Sequence, residues 1–354
     1  LAPYGARARE YKDGAIDLSV GTPVDPTPDF IQSALIAASN APGYPLTIGS
    51  PELREAIRSW AINVLGVQGD FDVLPSIGSK EVVANLASQM ESSSVLYPEI
   101  AYPTYLVGAL LAGAQHEAVG PDPTIWPSAE LVWVNSPSNP TGRIAPESEL
   151  RAVIDYSRKT GAIVASDECY LHFPGSFTEN AEIEASESSQ PQSILRVAAG
   201  DNRNLLTLHS LSKRSNLAGY RGGVIIGDPA LIAKIREVRK HAGLIVPAPV
   251  QAAMIAALGD EKHVRIQAER YINRRAAMTA ALQNLGFVID HSEAGLYIWC
   301  SRGEADLDSV QFLAELGIIV TPGRFYGDRG KKHVRVALTA TDPQIASAVN
   351  RMMS

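Results

Sequence analysis

Cysteine is scarce in this chain: Cys169 and Cys300 are the only two in 354 residues, and no C-x-x-C occurs. A disulfide-built scaffold is thereby excluded, and two free thiols in a reducing compartment are expected. Long apolar runs are also missing. The longest, Ile245 to Gly259, is broken by Pro247, Pro249 and Gln251, short of the ~20 residues of a membrane span. Positive charge is not in excess either, since 31 Lys and Arg against 38 Asp and Glu leave a net charge of −7. That balance argues against a polyanion such as nucleic acid as the main partner. Although there are 28 glycines, none is followed by another two positions later, so the G-x-G-x-x-G fingerprint is absent. The sequence also has no G-x-x-x-x-G-K-[ST] and no G-x-S-x-G, and its seven histidines form neither H-E-x-x-H nor H-x-x-x-H. Nicotinamide, nucleotide-triphosphatase, serine-hydrolase and zinc chemistry fall away with these motifs, and no metal is expected.

What is present is a chain with 45% apolar residues, long enough for two domains with a sizeable core. Short β-branched runs (132–134, 163–165, 205–208 and 224–226) alternate with longer segments of helical spacing. From Ser50 to Val64 the apolar residues Leu53, Ile57, Trp60 and Val64 mark one helix face, with Ser50 placed to cap it and Pro51 in its first turn. Asp228-Pro229 opens a helix in the same way, and Thr341-x-x-Gln344 reads as a capping box. This alternation predicts an α/β fold with a mainly parallel sheet. After about residue 245 the pattern becomes a smaller α+β unit. It has a polar helix over 260–285, a helix near 306–316, and strands at 287–289, 296–299, 318–321 and 333–338. The Ser/Gln/Glu-rich stretch 179–192 is expected to be an exposed loop. Leu1 rather than Met leads the sequence, so residues upstream are expected; with no leader visible, the cytoplasm is the default compartment.

Three strings carry chemistry. Ser210-Leu211-Ser212-Lys213 follows an apolar run, and Arg221 comes eight residues later. A lysine, two hydroxyls and a guanidinium could hold a carbonyl and a phosphate together, although this string alone reads as a surface loop. In the second string, Ser166-Asp167-Glu168-Cys169-Tyr170, an acid stands at the end of a buried strand. Such a carboxylate can keep a pyridinium protonated; a helix cap or loop acid is the alternative. The third, Asn135 to Gly142, is by itself a Pro/Asn/Gly turn.

Taken in order, N-P-x-G, D-x-x-Y and S-x-S-K with its downstream Arg resemble the class I/II aminotransferases among the fold-type I pyridoxal-phosphate enzymes. The likeness runs from Leu18-Ser19-Val20-Gly21-Thr22-Pro23 to His333-Val334-Arg335. The resemblance implies a large cofactor-binding domain over 41–244 and a small domain over 245–354, with residues 1–40 as an N-terminal arm contributing to the small domain. It implies that pyridoxal 5'-phosphate is held as a Schiff base on Lys213, which also shuttles the proton between substrate Cα and cofactor C4'. Asp167 would pair with the pyridine nitrogen, and Tyr170 and Asn139 with the phenolic oxygen. Ser210, Ser212 and Arg221 would hold the phosphate, joined by the backbone of Gly78-Ser79-Lys80 at a helix start, a favourable anion site on physical grounds too. Tyr102 would stack on the ring, with Tyr105 as the alternative. Tyr44 would reach the phosphate of a neighbouring subunit in a homodimer. Gly21, Asn139 and Arg335 would contact substrate, with Arg335 gripping its α-carboxylate. A fixed ion pair to a protein acid is the other reading of Arg335, an arginine in an otherwise apolar strand.

Transamination is the reaction the family implies. A C–S lyase of the same fold and a non-catalytic sensor are the alternatives, and no appended DNA-binding domain supports the sensor. A finer likeness is to the actinobacterial N-succinyldiaminopimelate aminotransferases, carried by Leu18 to Pro26, Ser166 to Leu171, His209 to Lys213 and Ser292-Glu293-Ala294-Gly295-Leu296-Tyr297. It implies transfer from glutamate to N-succinyl-2-amino-6-oxopimelate in diaminopimelate and lysine biosynthesis, with aspartate or LL-diaminopimelate specificity as alternatives. The distal carboxylate of that substrate would need a further cation, for which Arg324, Arg329 and Lys331 are candidates.

Overall fold

The computed structural model describes residues 2–176 and 190–354. Its largest sheet has seven strands: β1 Asp72–Ile77, β2 Ser94–Pro98, β3 Gln115–Val119, β4 Leu131–Asn135, β5 Ile163–Asp167, β6 Leu205–Ser210 and β7 Gly222–Gly227. Their order across the sheet is β1-β7-β6-β5-β4-β2-β3. Neighbours from β6 to β3 run parallel, whereas β7 pairs antiparallel with both β1 and β6. The sheet is mixed and mostly parallel, with helices on both faces, as the strand–helix alternation predicts.

Both faces are covered because the central strands are apolar at successive positions, which point to opposite sides. Val132, Val164 and Leu205 pack with Ile57 and Trp60 on one side. Leu131, Trp133, Ala165 and Leu206 pack with Leu86 and Ile232 on the other. The helix Pro51–Asn63 starts where Ser50 Oγ accepts the Leu53 amide at 3.1 Å. Asp228 caps Pro229–His241 through the Ala230 amide at 2.8 Å. Thr341 and Gln344 form the expected reciprocal box at the start of Asp342–Met353.

A second sheet is built from β8 Val288–Ile289, β9 Tyr297–Ser301, β10 Thr321–Pro322 and β11 Val334–Ala337, antiparallel in the order β10-β11-β9-β8. The helices Lys262–Asn284 and Asp342–Met353 share its core, with Met278, Leu282, Ile298 and Ile345 fully or nearly buried. The strand expected over 318–321 is divided. Ile318–Ile319 pairs parallel with Ile16–Asp17, while Thr321–Pro322 joins β11, because the chain passes from one sheet to the other at Val320.

Helix Ala248–Leu258 bears on the expected division at residue 245. Its Ala253, Met254 and Ala257 are buried in the same core as Ile57 and Val224 of the large sheet. We therefore propose a boundary after Gly259 rather than before Ile245. Residues 179–189 of the expected exposed loop lie outside the described residues. Among the described residues no helix is long and apolar enough to cross a membrane.

Candidate active site

Strands β4, β5 and β6 end side by side, and the register pairs Asn135 with Asp167. Ligands in open α/β sheets bind beyond such carboxyl ends. A cavity of about 740 Å³ opens there, closed on its far side by the second sheet through Tyr297 of β9 and Arg335 of β11.

Local structure sets the end of the cavity where an anion would be favoured. After β1 the chain turns at Gly78, whose φ of +72° begins the helix Ser79–Gln89 and aims its amino end at the cavity. A Cβ at Gly78 would overlap the Arg221 guanidinium, so only glycine allows that approach. Arg221 itself has φ +61° and is anchored by Nη1 donating to Ala218 O at 2.9 Å. A non-glycine residue in this region costs conformational energy, here at a charged position facing a cavity. Ser79, Lys80, Ser210 and Ser212 line the same end, with Ser210 Oγ accepting the Ser212 amide at 3.2 Å.

The middle of the cavity is organised by Asp167. Its Oδ2 accepts the Tyr105 hydroxyl at 2.9 Å, and its Oδ1 accepts the Cys169 amide at 3.3 Å. Burial pushes its pKa above the usual carboxylate range, against the pull of those hydrogen bonds. A cation beside Asp167 would favour its charged form. Tyr105 is wholly buried, stacked on Trp133 with ring centres 5.0 Å apart, while Tyr102 lines the cavity edge-on to it. The two tyrosines thus divide the alternatives between them: Tyr102 faces the cavity and Tyr105 holds the acid. Tyr170 and Tyr297 share a hydroxyl–hydroxyl hydrogen bond at 3.1 Å. Burial, reinforced by Tyr297, raises the Tyr170 pKa well above its ordinary value. Lys213 points its amine to the Gly21 carbonyl, and a Cβ at Gly21 would overlap the Tyr297 hydroxyl.

At the remaining end lies Arg335. Nη1 donates to Asn139 Oδ1 at 2.9 Å and Nη2 to Ser19 O at 2.6 Å, and the guanidinium sits 4.1 Å from the Tyr297 ring centre. Its partners are neutral acceptors and its Nε has none, so among the described residues a fixed ion pair does not account for this buried charge. Asn139 is held in turn by its amide donating to Asn135 Oδ1 at 2.7 Å, and Asn135 Nδ2 donates to Asp167 O at 2.8 Å.

Twelve of the fourteen expected site residues line this one cavity, and Gly78 adjoins it. Tyr44 does not; it is 99% exposed and away from this chain's own cavity. Arg324, Arg329 and Lys331 do not line this cavity and are paired with Asp306, Glu99 and Asp328 respectively. Sequence reasoning overlooked the part played by Tyr297 and left Tyr105 as a substitute for Tyr102. Both act through partners more than 60 positions away, which no local spacing reports.

The donor set fits pyridoxal 5'-phosphate. A helix amino end, two serines and an arginine suit its phosphate, a buried carboxylate suits its ring nitrogen, and a lysine stands between. The family model for aminotransferase class I and II matches residues 13–352. The chain is 47% identical to 4-dedimethylamino-4-oxo-anhydrotetracycline transaminase OxyQ of Streptomyces rimosus, over 99% of this chain and 97% of that protein. It is 48% identical to a probable aminotransferase of Mycobacterium tuberculosis, over 99% and 83% respectively. Among solved structures, a probable N-succinyldiaminopimelate aminotransferase from Thermus thermophilus superposes with a TM-score of 0.87 at 28% identity, covering 99% of this chain and 97% of that one.

Proposed function

This chain belongs to the class I and II aminotransferases, a pyridoxal-phosphate-dependent family, and from that premise we propose that it moves an amino group between glutamate and N-succinyl-2-amino-6-oxopimelate. The observation that carries the substrate class is a pair of cations at two places in one cavity: Arg335, facing neutral acceptors, and Lys80, exposed where the helix Ser79–Gln89 meets the opening. A substrate with an α-carboxylate and a second carboxylate several atoms away suits that pair. The likeness to the Thermus aminotransferase supports the same reading. A second reading has its own observation: the relative OxyQ is named for a transaminase acting on an anhydrotetracycline ketone and matches at 47% identity, so a bulky cyclic ketone is the rival acceptor.

Bound pyridoxal phosphate supplies an electron sink that weakens a bond at the substrate Cα. The chain's residues do the rest. Arg221, Ser210, Ser212 and the amino end of the helix after Gly78 hold the phosphate. Asp167 keeps the ring nitrogen protonated, and Tyr105, by donating to Asp167, keeps that carboxylate oriented. Lys213 would hold the cofactor through Nζ, and the same amine, facing the cavity, would be the base for the substrate Cα proton. Arg335 grips the α-carboxylate as a planar fork and so decides which Cα bond faces Lys213. Tyr170 and Asn139 donate to the cofactor's phenolic oxygen. Tyr44, from a second copy of the chain, completes the phosphate site of a homodimer, and the cytoplasm is the proposed compartment.

A half-reaction panel tests the proposal. Holoenzyme is mixed separately with N-succinyl-LL-diaminopimelate, glutamate, aspartate, LL-diaminopimelate and cystathionine while cofactor absorbance is followed. Fast conversion by the succinylated compound and by glutamate supports it. Conversion by aspartate or unsubstituted LL-diaminopimelate but not the succinylated compound removes the proposed acceptor. Pyruvate and ammonia from cystathionine would make the chain a lyase. An amino-anhydrotetracycline as the one good donor besides glutamate would favour the second reading.

A further inference from the structure

Arg275 lies far from any role assigned so far, in the long helix Lys262–Asn284, buried and without a carboxylate within ion-pair distance among the described residues. Burial brings its guanidinium down to about 10, with Glu293 acting in the opposite direction. A buried arginine is normally offset by an acid. Here the offset is three backbone carbonyls of one turn. Nη1 donates to Ser292 O at 2.9 Å and to Tyr297 O at 3.0 Å, and Nη2 donates to Gly295 O.

That turn is strained and is fastened to the segments that carry Asn139 and Tyr170. His291 and Ser292, neither of them glycine, have φ of +58° and +70°. The Ser292 amide donates to Thr141 O at 2.8 Å and the Ala294 amide to Gly142 O at 3.0 Å, which fastens it to the loop carrying Asn139. The Gly295 amide donates to Phe173 O at 2.8 Å, three residues after Tyr170. The turn ends at Tyr297, whose hydroxyl meets Tyr170 and whose ring lies beneath Arg335.

We infer that Arg275 is a positioning residue for the reaction: by gathering three carbonyls of the 292–297 turn it fixes Tyr297, and through Tyr297 it aligns both Arg335 and Tyr170. The inference rests on the proposed roles of those two residues. Its reach is nonetheless specific. Loosening the turn moves the ring under the carboxylate-binding guanidinium and the phenol beside the cofactor's oxygen together, whereas a purely structural arginine would change stability alone.

The test compares Arg275→Lys, Arg275→Ala and Tyr297→Phe as holoenzymes. It reads three quantities: melting temperature, KM against kcat for glutamate, and the midpoint of the bound cofactor's spectroscopic pH titration. Arg275→Lys is expected to raise KM about tenfold or more, with a smaller change in kcat, and to move the titration midpoint. Tyr297→Phe keeps the ring and loses the hydroxyl, so it should move the midpoint with a smaller rise in KM than Arg275→Lys. Added guanidinium ion should restore part of the KM of Arg275→Ala. A lowered melting temperature with wild-type KM and midpoint in Arg275→Lys would overturn the inference, as would guanidinium that restores stability but not KM. If Arg275→Ala does not fold, the Lys and Phe variants decide alone. Failure of the wild type to transaminate would strike the proposed function instead, and the titration midpoints would still report on the turn.

Discussion

Lys213 is the residue on which the proposed chemistry turns, and its amine already faces the cavity, engaged with the Gly21 carbonyl. Lys213→Ala should therefore lose the cofactor's visible absorbance and all multiple turnover; sustained turnover in a steady-state assay would contradict the assignment. Behind it lies a set of buried titratable groups whose effect is on stability. Glu168 is buried, accepts from the Ile194 amide at 2.9 Å, and has its pKa raised by desolvation from 4.5 to about 7. Its neighbour His209 is driven down to about 3 by burial, so it is neutral and gives Glu168 no ion pair at ordinary pH. Because the folded value of Glu168 exceeds the unfolded one, its contribution is fully present below about pH 4.5 and is lost as pH rises to about 7. Glu168→Gln should remove that dependence and gain on the wild type by about 1 kcal/mol per pH unit across this window. Urea unfolding at three pH values checks it, and parallel profiles would refute the shifted acid. The three strings that carry the site were legible because each is local, a strand end with its turn. Tyr297 was not, because its importance comes from Tyr170, Arg335 and Gly21, which only the fold brings to it.

At the scale of the element, the anion-binding end depends on one backbone conformation. Gly78 combines a positive φ with a side-chain vacancy that Arg221 occupies. Gly78→Ala should weaken cofactor affinity at least about tenfold, since the added methyl both strains the turn and displaces the guanidinium. Equilibrium dialysis of the apoenzyme measures this, and unchanged affinity would mean that Arg221 has no part in binding. Helix starts were readable in advance, since Ser50, Asp228 and Thr341 each announce a cap by side-chain chemistry within three residues. Strand membership was less so. Ile318 to Thr321 is a single β-branched run to local reasoning, yet its two ends join different sheets. Helix Ala248–Leu258 likewise carries no local mark of the sheet against which it packs.

For the whole molecule, exposed apolar side chains recur between Val20 and Leu46 among the described residues. Tyr44 stands at 99% exposure, with Ile36 and Leu46 also above half. Patches of this kind mark an interface in a soluble protein. The wild type should sediment as a dimer, and Tyr44→Phe should remain one while binding the cofactor more weakly; a monomeric wild type would dismiss the shared site. The second sheet has a bearing on the order of events during synthesis. The strip Ile16 to Gly21 leaves the ribosome early, but its partners lie near the other end of the chain. Thr321 and Thr339 donate to Ser19 O and Val20 O, Arg335 donates to Ser19 O, and the Ala337 amide donates to Leu18 O. The seven strands between residues 72 and 227 can assemble while translation continues. The strip at Ser19 and Val20 has no counterpart until residues about 300 positions later have been made. A nascent chain can therefore close its seven-stranded sheet well before the wall that carries Arg335 comes to meet it.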